Sequence, residues 1–148
     1  MSKYLNQWCL FLVVLPLLMG FCYRLKGIKG HVSIEKGNQM PLKGKSSQNS
    51  TPYATVVYVY AAAKTSQLIQ QDGQWAKGIK ARMLYQIKTN KLGQFKRVLP
   101  PGKYSILVQH TNGLYIPYFS GIDEVAIIEV KKGLFQEIDI TIAAPSLF

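Results

Sequence analysis

The sequence predicts an all-β domain, a sandwich or barrel of about seven short strands, behind an N-terminal hydrophobic signal or anchor helix. Three observations predict it. Beyond Arg24 the apolar residues recur with period two and not 3.6. Clusters of Gly, Pro and Asn punctuate them at short intervals, and after the leader no segment keeps a helical face for ten residues. A chain of 148 residues leaves room for one domain, and 48% hydrophobic content is enough to build its core.

The leader comes first. Lys3 precedes twenty uncharged residues, Tyr4 to Tyr23, whose apolar centre runs from Trp8 to Met19. A basic residue followed by an apolar run of this length suits a secretory signal. Trp8–Met19 alone is shorter than the roughly 20 residues a membrane span needs, but the addition of Gly20–Tyr23 brings an anchor within reach. Residues 1–22 are therefore a signal peptide or membrane anchor, and three endings stay open: cleavage after Gly20, retention as an anchor, or lipidation at Cys22. Each places the domain, residues 24–148, outside the cytoplasm: in the periplasm, secreted, or tethered at the cell envelope.

The strands follow in order. Ile28, Gly30, Val32 and Ile34 alternate with Lys29, His31, Ser33 and Glu35, so one face meets a core and the other water. Ala54–Tyr60 is apolar on both parities, as a central strand covered on both sides requires. Met83–Thr89, Gln94–Leu99 and Val125–Val130 are weaker candidates. Tyr104, Ile106 and Val108 share one face, and Leu134, Ile138, Ile140 and Ile142 share another. Asn90-Lys91-Leu92-Gly93 reads as a hairpin turn, and Pro100-Pro101-Gly102 as a corner in which Gly102 takes a left-handed conformation. Thr111-Asn112-Gly113 and Lys131-Lys132-Gly133 punctuate the later strands. Lys36–Pro52 and Lys64–Lys80 read as long irregular loops.

Three stretches then read together: Gly30-His31-Val32 with Gly37-Asn38-Gln39-Met40-Pro41, the run Thr89–Tyr104, and the closing strand Ile138–Ile142. Their most specific element is G-x-F-x-x-x-L-P-P-G-K-Y, from Gly93 to Tyr104. Over most of Ile28–Ile142 the chain resembles the carboxypeptidase regulatory-like domain, a transthyretin-like or prealbumin-like β-sandwich of exported bacterial proteins, notably of Bacteroidetes. The resemblance implies a single seven-stranded Greek-key β-sandwich, transthyretin-like or Ig-like. Within the motif, Gly93, Phe95, Leu99, Pro100, Pro101, Gly102 and Tyr104 read as structural. Phe95, Leu99 and Tyr104 face the core, and a buried Tyr104 needs a backbone partner for its hydroxyl. A family motif identifies a fold and leaves function open.

Catalysis is not expected. Fold relatives of the family include a hydroxyisourate hydrolase, whose activity, as the resemblance implies, depends on histidines, an arginine and a Tyr-Arg-Gly-Ser-type tail. This chain ends Ala143–Phe148 without that tail, and its histidines are His31 and His110. It has no G-x-S-x-G elbow, P-loop, H-E-x-x-H or paired C-x-x-C. Asp123 and Glu124 are adjacent, and adjacent residues on a strand point to opposite faces. No cofactor and no metal site is read from these residues.

Charge points to partners. Eighteen Lys and Arg against seven Asp and Glu give +11. The stretch Arg24–Lys103 carries fifteen cations and two acids, whereas Tyr104–Phe148 carries two lysines and five acids. Such asymmetry attracts polyanions or an anionic membrane surface. Nucleic acid is not expected as a partner of an exported chain that lacks an aromatic–basic recognition motif. Trp75, Lys77, Lys80, Arg82, Tyr115 and Tyr118 are the candidate contact residues, with Cys22 the candidate lipidation site. The sequence thus predicts a non-catalytic exported module for binding or structural interaction at the cell envelope, with an envelope protein as partner; the alternative is an anionic glycan or lipid bound by the Lys/Arg-rich face. Membrane association would run through the N-terminus.

Overall fold

The computed structural model describes residues 26–35 and 50–143. The leader, Cys22 and most of the Lys36–Pro52 stretch, including the Gly37–Pro41 element, lie outside the described residues. Within them the chain is all-β. The strands in order are β1 (Gly27–Glu35), β2 (Ser50–Pro52), β3 (Val56–Ala61), β4 (Leu68–Ile69), β5 (Trp75–Ala76), β6 (Gly78–Ile79) and β7 (Met83–Lys88). There follow β8 (Gln94–Val98), β9 (Gly102–His110), β10 (Gly113–Tyr115), β11 (Phe119–Ser120), β12 (Glu124–Val125), β13 (Ile127–Val130) and β14 (Phe135–Ala143). Strands β1, β3, β7, β8, β9, β13 and β14 occupy segments that the sequence predicts as strands. The other seven are two or three residues long.

Two sheets carry the core. In the first, β1 is central: β14 runs parallel along one edge, while β8 and β2 pair antiparallel with successive parts of the other. In the second, β9 is central, with β3 and then β7 on one side and β10 and β13 sharing the other; β5 extends the sheet beyond β10. One cluster joins them: Ile28, Val32, Ile34, Ile138, Ile140 and Ile142 from the first sheet pack with Val57, Val59, Ile106, Val108 and Ile128 from the second. These are the inward parities of the alternating strands, so period two in the sequence becomes one buried face per strand.

A second, smaller cluster lies on the other face of the β9 sheet. Tyr60, Ala76, Leu107, Ile116, Val125 and Ala126 are buried there, with Leu68, Ile79 and Ala81 packed against them. Both faces of β3 and β9 are thereby covered, which is why Ala54–Tyr60 is apolar on both parities. Ser105 is fully buried beside this layer, and its hydroxyl accepts the Ala63 N–H at 2.9 Å.

Several local expectations are corrected. The Lys64–Lys80 stretch is no irregular loop: it forms a 3-10 turn at Thr65–Gln67, the pair β4–β6, and β5. Its apolar residues Leu68, Ala76 and Ile79 have a sheet face to cover, and that burial orders it. The Val125–Val130 segment breaks at buried Ala126, whose φ is +42°. Its N–H donates to Tyr118 O and its carbonyl accepts the Ile106 N–H, so the break aims backbone groups at two neighbours. Leu134 precedes β14 and is exposed, outside the core face of Ile138, Ile140 and Ile142. Gly102 begins β9 with φ +159°, a positive φ that favours glycine but lies far from the left-handed turn geometry expected of it.

The motif residues do structural work. Gly93 closes the β7–β8 turn at φ +73°, with its N–H donated to Asn90 O at 2.9 Å. Phe95 is the cross-strand partner of Gly30, where a side chain would run into the Ile138 carbonyl and then the edge of the Phe95 ring. Leu99 is fully buried, and Tyr104 is buried with its hydroxyl donated to Pro100 O at 2.8 Å. Pro100 and Pro101 are exposed on the connection between the two sheets.

Candidate contact surface

Trp75 owes its position to a tight turn. Asp72 and Trp75 exchange backbone hydrogen bonds of 2.8 and 2.9 Å around Gly73, whose φ is +56°. This turn delivers β5 to the edge of β10, where Trp75 stands opposite Tyr115 and Ala76 opposite Leu114. The Trp75 ring lies 5.0 Å from the Tyr115 ring and 5.0 Å from His110, tilted 58° and 48°. Tyr53 completes the row, 5.7 Å from His110. Tilted rings at these separations are the packed arrangement that aromatic quadrupoles favour.

Polar ends are satisfied around the row. The Tyr115 hydroxyl lies 3.1 Å from the Thr141 carbonyl oxygen and 3.2 Å from Gln74 Oε1, both acceptors. It therefore ties the β10 edge of one sheet to β14 of the other. Gln74 donates onward to Pro117 O. His110 Nδ1 accepts the backbone N–H of Asn112 at 3.3 Å, and burial holds the imidazole pKa below its ordinary value. A neutral ring suits a position between two aromatic neighbours. Tyr53 and Trp75 are half-buried and pack on the main core, while Tyr115 is buried within it. The row thus caps one end of the space between the sheets.

The other candidates are dispersed. Lys77 follows Trp75 and is exposed, as is Lys80, whose N–H donates to Gln67 O. Exposed Arg82 sits towards the far end of the β9 sheet, its carbonyl accepting the Ala61 N–H at 3.0 Å. Tyr118 donates its hydroxyl to Ile127 O at 3.0 Å, and burial pushes its phenol pKa up. The fold therefore unites Trp75 and Tyr115 and leaves Lys80, Arg82 and Tyr118 tied to other elements. His110 and Tyr53 join the aromatic row without any sequence signal. They come from distant segments that share no motif with Trp75.

A second surface feature is the β11–β12 hairpin. Phe119 pairs with Val125 and Ser120 with Glu124, around a turn in which Gly121 adopts φ +73° and Ile122 is fully exposed. The hairpin is anchored at several points. Thr65 Oγ1 donates to Asp123, Lys64 Nζ lies 3.9 Å from the same carboxylate, and Val125 N–H donates to Ala63 O at 3.1 Å. Asp123 is thus engaged with Thr65 and Lys64, and Glu124 serves the hairpin ladder. Among the described residues, no three His, Cys, Asp or Glu side chains gather as metal ligands would.

No family model, curated protein or solved structure matches this chain.

Proposed function

We propose that the chain is an exported, seven-stranded Greek-key β-sandwich of the carboxypeptidase regulatory-like kind. It serves the cell envelope as a non-catalytic module for binding or structural interaction, from the periplasm, the medium or a membrane tether. The observation that carries this reading is the anchored β11–β12 hairpin with Ile122 fully exposed at its tip. An apolar side chain held out on a rigid turn loses little further freedom when a partner covers it, so it favours contact with a protein socket. The ordering of the hairpin by Thr65, Lys64 and Ala63 supports that use.

Two measurements test the reading. Intact mass and membrane fractionation of the protein, expressed in a bacterium with its own leader, would show the export and the fate of Cys22; an unprocessed cytoplasmic species would defeat the localisation. A photoreactive amino acid at position 122 should give a discrete adduct with an envelope protein, and one at exposed position 92 should give none. Failure to form any adduct from position 122 would remove the hairpin as the contact.

The second reading is binding to an anionic glycan or lipid surface through cations. What favours it is the exposure of Lys and Arg side chains along β8 and in the turns that flank β9 and β14.

A further inference from the structure

Several chain segments meet where β1 begins. Gly27 stands opposite both Phe135 and Val98. Its N–H donates to Leu134 O at 3.4 Å, and the Leu99 N–H donates to Lys26 O at 3.1 Å. Gly102 stands opposite Val130. The β8–β9 and β13–β14 connections therefore lie side by side at the point where the chain enters the first sheet. Ala61 stands opposite Tyr104 and donates its N–H to Arg82 O, which draws the start of β7 towards the same end.

This end exposes apolar side chains within a rim of cations. Val98 is 51% exposed, Met83 51% and Leu134 67%, and Pro100 and Pro101 are exposed beside them. Arg82, Arg97, Lys103, Lys131 and Lys132 are exposed around them, and Lys26 is half-buried. Among the carboxylates on the strands that meet here, Glu129 stands opposite Lys103 and Glu137 lies 3.4 Å from Lys29 Nζ. At the other end of the sheets Lys77, Lys88 and Lys91 are more widely spread, with Leu92 exposed there and Ile69 exposed beside Lys77.

We propose that the end of the fold at which β1 begins docks on an anionic phospholipid surface. The proposal rests on the second reading above and names the lipid class and the patch. Two observations select a membrane as occupant. Apolar side chains ringed by Lys and Arg match an interface where acyl chains lie beneath anionic headgroups. The chain also enters at this end: Tyr23, the last residue of the uncharged run, is four residues before Gly27 and can be at most about 14 Å from it. An N-terminal segment held in a bilayer would hold this end, and not the Trp75 end, against the headgroups.

The test uses the full-length protein bound to preformed vesicles of phosphatidylcholine, with or without phosphatidylglycerol. Lysine reactivity towards a membrane-impermeant acylating reagent is read by mass spectrometry. On vesicles containing phosphatidylglycerol, Lys103, Lys131 and Lys132 should be protected relative to phosphatidylcholine alone, while Lys77, Lys88 and Lys91 keep their reactivity. Protection should fade at high salt. In a Lys131→Ala/Lys132→Ala variant, whose melting temperature should be unchanged, the docked-to-undocked ratio read at Lys103 should fall about 30-fold. Leu134→Ser should weaken protection at all three lysines. Protection centred on Lys77, Lys88 and Lys91 would overturn this patch and leave the lipid reading standing. Equal reactivity on both vesicle types would overturn the patch and the lipid reading together, leaving the protein-contact reading untouched.

Discussion

The Tyr104 hydroxyl donates to the Pro100 carbonyl oxygen at 2.8 Å, so a buried side chain near the start of β9 holds the connection that leads into it. The Pro-Pro step carries the chain from β8 in one sheet to β9 in the other, and neither proline has an N–H with which to anchor itself. Tyr104 supplies the missing tie. Burial raises its phenol pKa, with the neighbouring Tyr85 a smaller contributor, so the group stays a donor.

Tyr104→Phe keeps the ring in the core and removes this one bond. It should lower stability by about 1 kcal/mol, the usual net worth of such a hydrogen bond. Urea denaturation of both proteins checks it; an unchanged midpoint would show that water replaces the tyrosine at Pro100 without loss.

Gly93 and Gly102 belong to the same motif and should respond differently. Gly93 is left-handed at φ +73°, and a methyl group there would run into the Val32 carbonyl oxygen. Gly102 has φ +159°, which also disfavours a side chain, but a methyl group would meet the Tyr104 hydroxyl and ring only at ordinary contact distances of 3.6 and 3.7 Å. Gly93→Ala should therefore cost at least about 2 kcal/mol, and Gly102→Ala clearly less. Equal losses would mean that backbone conformation, and not the clash with the Val32 carbonyl, sets the requirement for glycine at both positions.

Trp75→Ala removes the centre of the aromatic row. Half-buried between His110 and Tyr115, the indole should contribute about 2 kcal/mol, below the value for a fully buried tryptophan. The measurement is the denaturation midpoint. A variant as stable as the parent would assign Trp75 to ligand contact instead of packing.

His110 gives a pH dependence of definite sign. Burial lowers its pKa in the folded protein from the ordinary 6.5, so the unfolded chain takes up the proton first. Its contribution to stability is fully present above 6.5 and is lost as pH falls below that value. His110→Gln should flatten the fall in stability between about pH 7 and about pH 5. An identical pH profile in the variant would show that other groups govern acid sensitivity.

The strands with several alternating residues were legible because each encodes its own buried face. Ile28–Ile34, Tyr104–Val108 and Ile138–Ile142 carry that pattern within a single segment, and Val57 and Tyr58 already point to cover on two sides. The motif residues Phe95, Leu99 and Tyr104 are buried as their parity requires. Of the candidate contacts, Trp75 and Tyr115 do meet, but nothing local announces that His110 and Tyr53 join them. Leu134 shares the parity of its neighbours and yet lies exposed, because β14 begins one residue later.

The sequence by itself determined the all-β class and the principal strands, since alternation and turn chemistry act over a few neighbouring residues. The tertiary structure alone decided the two-residue strands β4, β5 and β6, the second apolar layer, the tilted row at Trp75 and the cationic end at Gly27. Each depends on a partner far along the chain: a strand of two residues is stabilised by the surface it covers, and turns such as those at Gly102 and Lys132 become neighbours only when two sheets pair and pack.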